Sequence, residues 1–163
     1  MNKYDICPVP KEQIPLIEYE SLTASWFFNL PTSKDNKLYF ILLISWAIMI
    51  PIFITISSGS FQLRSNILRL LLVSIVTSLV VPILILLRQW LAWNYILNRL
   101  KSGNIEHEKS GWYDGQTWEK PINLRSRDLL IANYEVIPII SFLTKPLILI
   151  SSIELVGITA FFF

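Results

Sequence analysis

Few residues in this chain could do metal or nucleophilic chemistry. His107 is the only histidine and Cys7 the only cysteine. One histidine cannot build a His-rich zinc site, a Glu-x-x-His di-iron pair or a bis-His haem within one chain. A Ser-His-Asp or Cys-His set would have to use that same residue. His107 lies in Glu106-His107-Glu108 with no strand-turn-helix signature around it. Adjacent side chains point in different directions, so a solvated loop is a simpler reading of this trio than a metal clasp. Gly103, Gly111 and Gly115 do not form a phosphate loop, because no apolar strand precedes them and no Gly-Lys-Ser/Thr follows. No catalytic residue and no metal-ligand set is assigned, and a non-enzymatic role is expected. The net charge of +2 is too small to argue for nucleic acid. A single cysteine rules out an internal disulfide, which suits a reducing compartment.

One residue still carries chemical weight. Glu154 stands near the middle of an apolar run, 146–163. A carboxylate in hydrocarbon is costly unless it is protonated, paired, or turned toward protein or water, so Glu154 needs a partner.

The elements that must position these residues are set by apolar blocks. Leu38–Ser58 and Ile67–Leu87 are joined by a polar hairpin, 59–66. At about 1.5 Å per residue, about 20 helical residues cross a hydrocarbon core of about 30 Å. The first run has no charge between Lys37 and Arg64. The second has Arg69 near one end, where it can snorkel, and no further charge until Arg88. Mean hydropathy is +0.50 and 53% of residues are hydrophobic, gathered in blocks rather than spread at amphipathic spacing. The expected fold is an all-α membrane protein with two transmembrane helices, 38–58 and 67–87. Pro51 and Pro82 lie inside them and predict kinks. The run 146–163 reads as a third span, a re-entrant helix, or a segment folded back on the first two. The third span is preferred, because an intramembrane acid belongs inside a bundle.

Four lysines precede residue 38 and eight basic residues lie between 88 and 145, whereas the hairpin holds only Arg64. The positive-inside rule therefore puts the segments 1–37 and 88–145 on one side and the hairpin on the other. No cleavable signal and no Arg-rich transit peptide is visible at the start of the sequence. Prolines 8, 10 and 15 favour an extended, polyproline-like strip suited to docking. Glu18 to Phe28 reads as a short helix that brings Leu22, Trp26, Phe27 and Phe28 to the membrane surface. Trp90, Trp93, Leu97 and Leu100 recur at helical spacing and continue the second span or bend along the interface. The stretch SGWYDGQTWEKP reads as turns, with Asp114 and Gly115 as a turn pair. Asn123 is a candidate cap for a helix with the stripe Leu130, Ile131, Tyr134 and Ile137, ending before Pro138, and the aromatic turns are expected to pack on that stripe. The segment 88–145 is thus a Trp-rich loop-helix subdomain.

Three stretches, CPVPKEQIPLIEYESLTASWFF, SGWYDGQTWEKP and RDLLIANYEVIPI, resemble the hypothetical chloroplast reading frame thirty-six family, described as conserved in the green lineage and diatoms. The motifs cover roughly half the chain, and the membrane runs match only in character. The resemblance implies a plastid membrane protein, expected in the thylakoid, plastid-encoded as in red algae, with segments 1–37 and 88–145 in the stroma and the hairpin in the lumen. The family brings no established catalytic activity. The spans contain no histidine for chlorophyll, and Glu154 is the one weak candidate for holding a pigment. No cofactor is required, although peripheral chlorophyll, carotenoid or lipid would be compatible. Two function classes stay open. One is an accessory subunit or assembly factor of a photosynthetic complex, a photosystem above all, using Pro8, Pro10, Trp26, Trp112, Tyr113, Asp114, Trp118 and Glu154 as partner-binding residues beside the membrane lipids. The other is a carrier or enzyme of iron or pigment-precursor metabolism, its site shared between subunits. The first is preferred, because every distinctive feature faces a partner.

Overall fold

Residues that expose no charge to lipid must also hide their backbone polar groups, and only a helix does so within one segment. The computed structural model describes residues 10, 13–32, 36–60, 66–106 and 117–162. It contains three helices long and apolar enough to cross a membrane. The chain forms two compact units, one of residues 1–29 and 91–140 and the other of 30–90 and 141–163.

The second unit holds the apolar segments. Helix α2 (Lys37–Ser58) starts after Asn36, whose left-handed backbone (φ 52°) is a conformation asparagine tolerates. The short helix before it, α1 (Pro15–Ala24), belongs to the other unit. Helix α3 (Ile67–Thr77) is capped by Asn66, whose side chain accepts the Arg69 N–H at 3.3 Å. After a turn at Ser78 and Leu79, α4 (Val80–Lys101) begins. The interruption puts Pro82 in the first turn of α4, where a missing N–H costs little. Leu79 N–H closes instead on Val76 O, three residues back, at 3.0 Å. The hydroxyls of Ser74, Thr77 and Ser78 donate to Leu70 O, Val73 O and Ile75 O, each at 2.8 Å. Each hydroxyl thereby answers a carbonyl of its own helix, and Ser74 Oγ also reaches Phe53 O of α2 at 3.4 Å. Kinks are expected at both prolines; the helix is interrupted at Ser78 and Leu79, just before Pro82, while α2 runs through Pro51 without interruption.

The third apolar run is not a separate element. One helical rod extends from α5 (Ile122–Ile131) through a π-helical stretch (Ala132–Val136) into α6 (Ile137–Phe162). Sequence reading ends a helix before Pro138; the chain stays helical through it. The reason is local. The proline ring crowds the carbonyl four residues back, and just before it Ile137 N–H reaches five residues back, to Ala132 O. That wider turn makes room for the ring.

The spanning helices of this unit interlock through side chains. Trp46 Nε1–H donates to Ile75 O at 3.2 Å, tying α2 to α3. Trp90 Nε1–H donates to Thr144 Oγ1 at 3.2 Å, tying α4 to α6. Tyr39 and Phe142 meet edge to face, 5.6 Å between centroids. At Gly157 the α6 backbone lies against Val76. A Cβ there would stand 2.5 Å from Val76 Cγ1. The outward faces carry exposed Phe40, Leu43, Ile56, Leu68, Leu155 and Val156, as a lipid solvent requires.

Gly157→Leu is accordingly expected to force α6 away from α3, with a loss of about 1–3 kcal/mol or more as an overpacked contact. Thermal melts in mild detergent check this; an unchanged midpoint would mean that the contact at Val76 does not matter.

Candidate functional site

The first unit holds both ion pairs found among the described residues. Its frame is an antiparallel ribbon, β1 (Asn104–Glu106) with β2 (Thr117–Glu119), between α4 and α5. Trp118 stands opposite Ile105 in this ribbon and is half-buried. Sequence reading assigns turns to the whole stretch; the two three-residue strands are a difference. Alternation in them is too short to register as a pattern.

Lys120 follows the ribbon and is buried with Asp128 of α5. Lys120 Nζ donates to Asp128 Oδ2 at 2.7 Å, and the two side chains are 1% and 7% exposed. The same ammonium donates to Arg99 O at 3.0 Å and Leu100 O at 3.4 Å, carbonyls at the end of α4. Its own N–H donates to Gly103 O at 2.9 Å. Pro121 then caps α5, accepting from Leu124 and Arg125 N–H, so Asn123 is not the cap but a first-turn residue. Asp128 belongs to a buried row with Ala132, Val136, Ile139 and Leu143. Of the expected stripe Leu130, Ile131, Tyr134 and Ile137, Ile131 is half-buried and the other three face outward instead, because the acid must reach Lys120 and only one face of the helix can turn inward.

A second ion pair holds the N-terminal segment. Pro15 opens α1 at its first turn, where its fixed φ suits a helix start, and it is buried there rather than extended. Arg99 Nη1 donates to Glu18 Oε1 at 2.6 Å and to Tyr95 Oη at 2.9 Å, while Nη2 donates to Gln13 O at 2.7 Å. Burial pushes the Glu18 carboxyl above the usual range, and the charge of Arg99 pulls it back only in part. Beside it, the Tyr19 hydroxyl donates to Glu135 Oε2, and Tyr19 meets Trp93 edge to face at 6.2 Å. Burial, that hydrogen bond and the Glu135 charge all push the phenol upward. Trp93 is fully buried, and its Nε1–H donates to Phe28 O at 3.3 Å.

The expected partner residues are not gathered in one place. Trp26 is 77% exposed, the outermost of an edge-to-face series with Phe27 and Phe28. Pro10 is exposed and accepts the Gln13 N–H at 2.9 Å, closing a turn rather than continuing a strip. Trp118 lines a small crevice with Ile14, Ile105 and Leu124 over the Lys120–Asp128 pair. Glu154 lies in α6 and makes no hydrogen bond or ion pair among the described residues. Pro8, Trp112, Tyr113 and Asp114, with Cys7, His107 and Glu108, lie outside the described residues. Sequence reasoning missed Arg99, Glu18, Lys120 and Asp128 as partners. A signal was present for one of them: Asp128 falls at helical spacing with Ala132 and Val136, and an acid on an apolar row demands a cation.

The model of the CGLD27-like family, described as conserved in the green lineage and diatoms 27, matches residues 7–149. The uncharacterized protein ycf36 of Pyropia yezoensis is 38% identical over 156 residues, 93% of this chain and 92% of that protein. The Porphyra purpurea protein of the same name is 34% identical over 168 residues, 100% of this chain and 99% of its own. In Arabidopsis thaliana the chloroplastic protein conserved in the green lineage and diatoms 27 is 34% identical over 141 residues, 86% of this chain and 43% of that protein. No solved structure matches.

Asp128→Ala leaves a buried ammonium uncompensated and is expected to cost about 3–5 kcal/mol, whereas Lys120→Met with Asp128→Leu should recover most of it. Detergent melts of the two variants decide; equal losses would refute the pairing. Glu18 predicts a pH effect of known sign. A raised folded value means that its contribution is complete below the ordinary glutamate value, about 4.3, and is lost as pH rises through the folded value. Because Glu18 is partly exposed, the effect is modest. Melts across that window should fall with rising pH in the wild type and flatten in Glu18→Gln; parallel curves would exclude Glu18 as the titrating group.

Proposed function

The chain belongs to the CGLD27-like family, and from that kinship and the state of Glu154 we propose a non-enzymatic thylakoid membrane protein that docks on a photosynthetic complex. The expected complex is a photosystem, and the role that of an accessory subunit or assembly factor. The observation that carries this reading is the Glu154 carboxylate, which sits in an apolar helix with no partner among the described residues. Such a group is costly in lipid, and a donor on a neighbouring protein's helix relieves the cost.

Outside the spans, an exposed apolar row supports the same reading. Ile122, Leu130 and Tyr134 are 81%, 57% and 77% exposed along one helix, and Trp26 is equally open. Large exposed apolar side chains in a row mark contact with a partner or with the membrane surface. The relatives named above come from photosynthetic organisms, and one carries "chloroplastic" in its name. The excess of basic residues in the first and middle segments supports a stromal position for both. Peripheral chlorophyll, carotenoid or lipid fits this role without being required by it.

Purification of the tagged protein from its native membrane in gentle detergent tests the proposal, with partners read by mass spectrometry and pigment by absorption. Photosystem subunits are expected in wild type and in Glu154→Gln, which keeps a hydrogen-bonding group. Glu154→Leu and Tyr134→Ala should each reduce their recovery severalfold, the size expected for losing a partnered polar or aromatic contact. Recovery of the protein alone would refute docking. Unchanged recovery in Glu154→Leu would remove the acid from the interface.

A further inference from the structure

Beside the Arg99–Glu18 pair, within the first unit, lies an open groove of about 820 Å³. Its wall is formed by the end of α4, the start of the ribbon and Arg125 of α5. Among the polar residues that line it are Tyr95, Asn98, Arg99, Ser102, Asn104 and Arg125, and no carboxylate of the described residues does. Its size is that of a small-molecule cleft.

The two guanidinium groups differ in what they already do. Arg99 spends its donors on Glu18, Gln13 O and Tyr95, so its charge is largely matched. The Arg125 side chain has no hydrogen bond or ion pair among the described residues. Its guanidinium lies over Gly103, where a Cβ would stand 3.5 Å from Cζ. The end of α4 would itself repel an anion, because a helix C-terminus carries partial negative charge. Lys120 cancels that effect by holding Arg99 O and Leu100 O. Among the described residues the groove is therefore left with one unmatched cation in a fork geometry and a set of amide groups around it.

We propose that this groove binds a phosphate-type oxyanion, with Arg125 as its bidentate anchor and the side-chain amides of Asn98 and Asn104 as neutral donors; the Ser102 hydroxyl is already spent on Asn104 O. A planar guanidinium matches two oxygens of such a group at once, which a lysine in that place could not. The anion has two natural sources with the same chemistry, a soluble phosphate ester and the headgroup of an anionic phospholipid.

The test uses the full chain. Inorganic phosphate and glycerol 3-phosphate are titrated against the protein in neutral detergent, followed by calorimetry at constant ionic strength set with chloride. In parallel, phospholipid binding is measured in nanodiscs of phosphatidylcholine with and without phosphatidylglycerol. Saturable binding of one probe class is expected, weakened about tenfold or more in Arg125→Gln and partly kept in Arg125→Lys. The Arg125 side chain bonds nothing among the described residues, so these variants should melt as the wild type does. Competition by glycerol 3-phosphate assigns the soluble source; dependence on phosphatidylglycerol alone assigns the lipid. The proposal falls if neither probe saturates or if Arg125→Gln binds as well as wild type. Partner recovery in Arg125→Gln is expected to be normal, so failure here leaves the docking reading standing.

Discussion

The first unit depends on where one ammonium can find three acceptors. Lys120 has three N–H donors and is buried, so each needs an acceptor or the burial would be ruinous. Asp128 supplies a charge, and Arg99 O and Leu100 O supply the other two sites. Those carbonyls are among the last of α4, which have no partner within their own helix. One side chain thus closes the end of one helix and fixes the rotation of another, because Asp128 must face inward. Its backbone is pinned as well, through Gly103 O, which aligns the ribbon. Arg99 extends the link. Its carbonyl is held by Lys120 and its guanidinium by Glu18 and Gln13, so the N-terminal segment is tied to the same point.

In the second unit the governing constraint is different. Polar groups there must be satisfied without water, and the chain does this with short-range bonds. Ser74, Thr77 and Ser78 answer the carbonyls of the preceding turn just where Pro82 forces α3 and α4 apart. The π-helical stretch does the same service ahead of Pro138. Among the described residues, interhelical specificity is left to a few groups: two indole N–H donors, the Ser74 hydroxyl on Phe53 O, one aromatic pair and the close approach at Gly157. This matches the way helices associate in lipid, where small residues and sparse hydrogen bonds replace the hydrophobic drive.

The two features differ in how readable they were from the sequence. Two spans and the family itself are visible, because each rests on a long local pattern; the third span is a preference among three readings, and the Trp93–Leu100 stretch stays open between continuing the second span and bending along the interface. The stop before Pro138 was misread, since a proline in a helix is tolerated once the turn before it widens. The stripe of α5 was also assigned to the wrong face. Apolarity alone favoured Leu130 and Tyr134, and only the pairing of Asp128 with Lys120, eight residues earlier, reverses the choice. Arg99 with Glu18 was beyond reach for a plainer reason: the two are 81 positions apart, and no local period encodes such a contact. Pro15 looked like part of an extended strip because helix starts and polyproline share the same φ.

The internal pairs also decide what remains for function. Lys120, Asp128, Arg99, Glu18, Tyr19 and Glu135 are consumed in holding the first unit together, so they are poor candidates for chemistry on a substrate. Three kinds of group are left over among the described residues: an acid inside a membrane helix, an apolar row turned outward, and an arginine over a glycine. An acid in the third span with no partner among the described residues is costly in lipid, and that cost is what supports the proposed docking. The leftover groups differ in character and in place, which fits contacts with more than one neighbour better than a single enclosed active site.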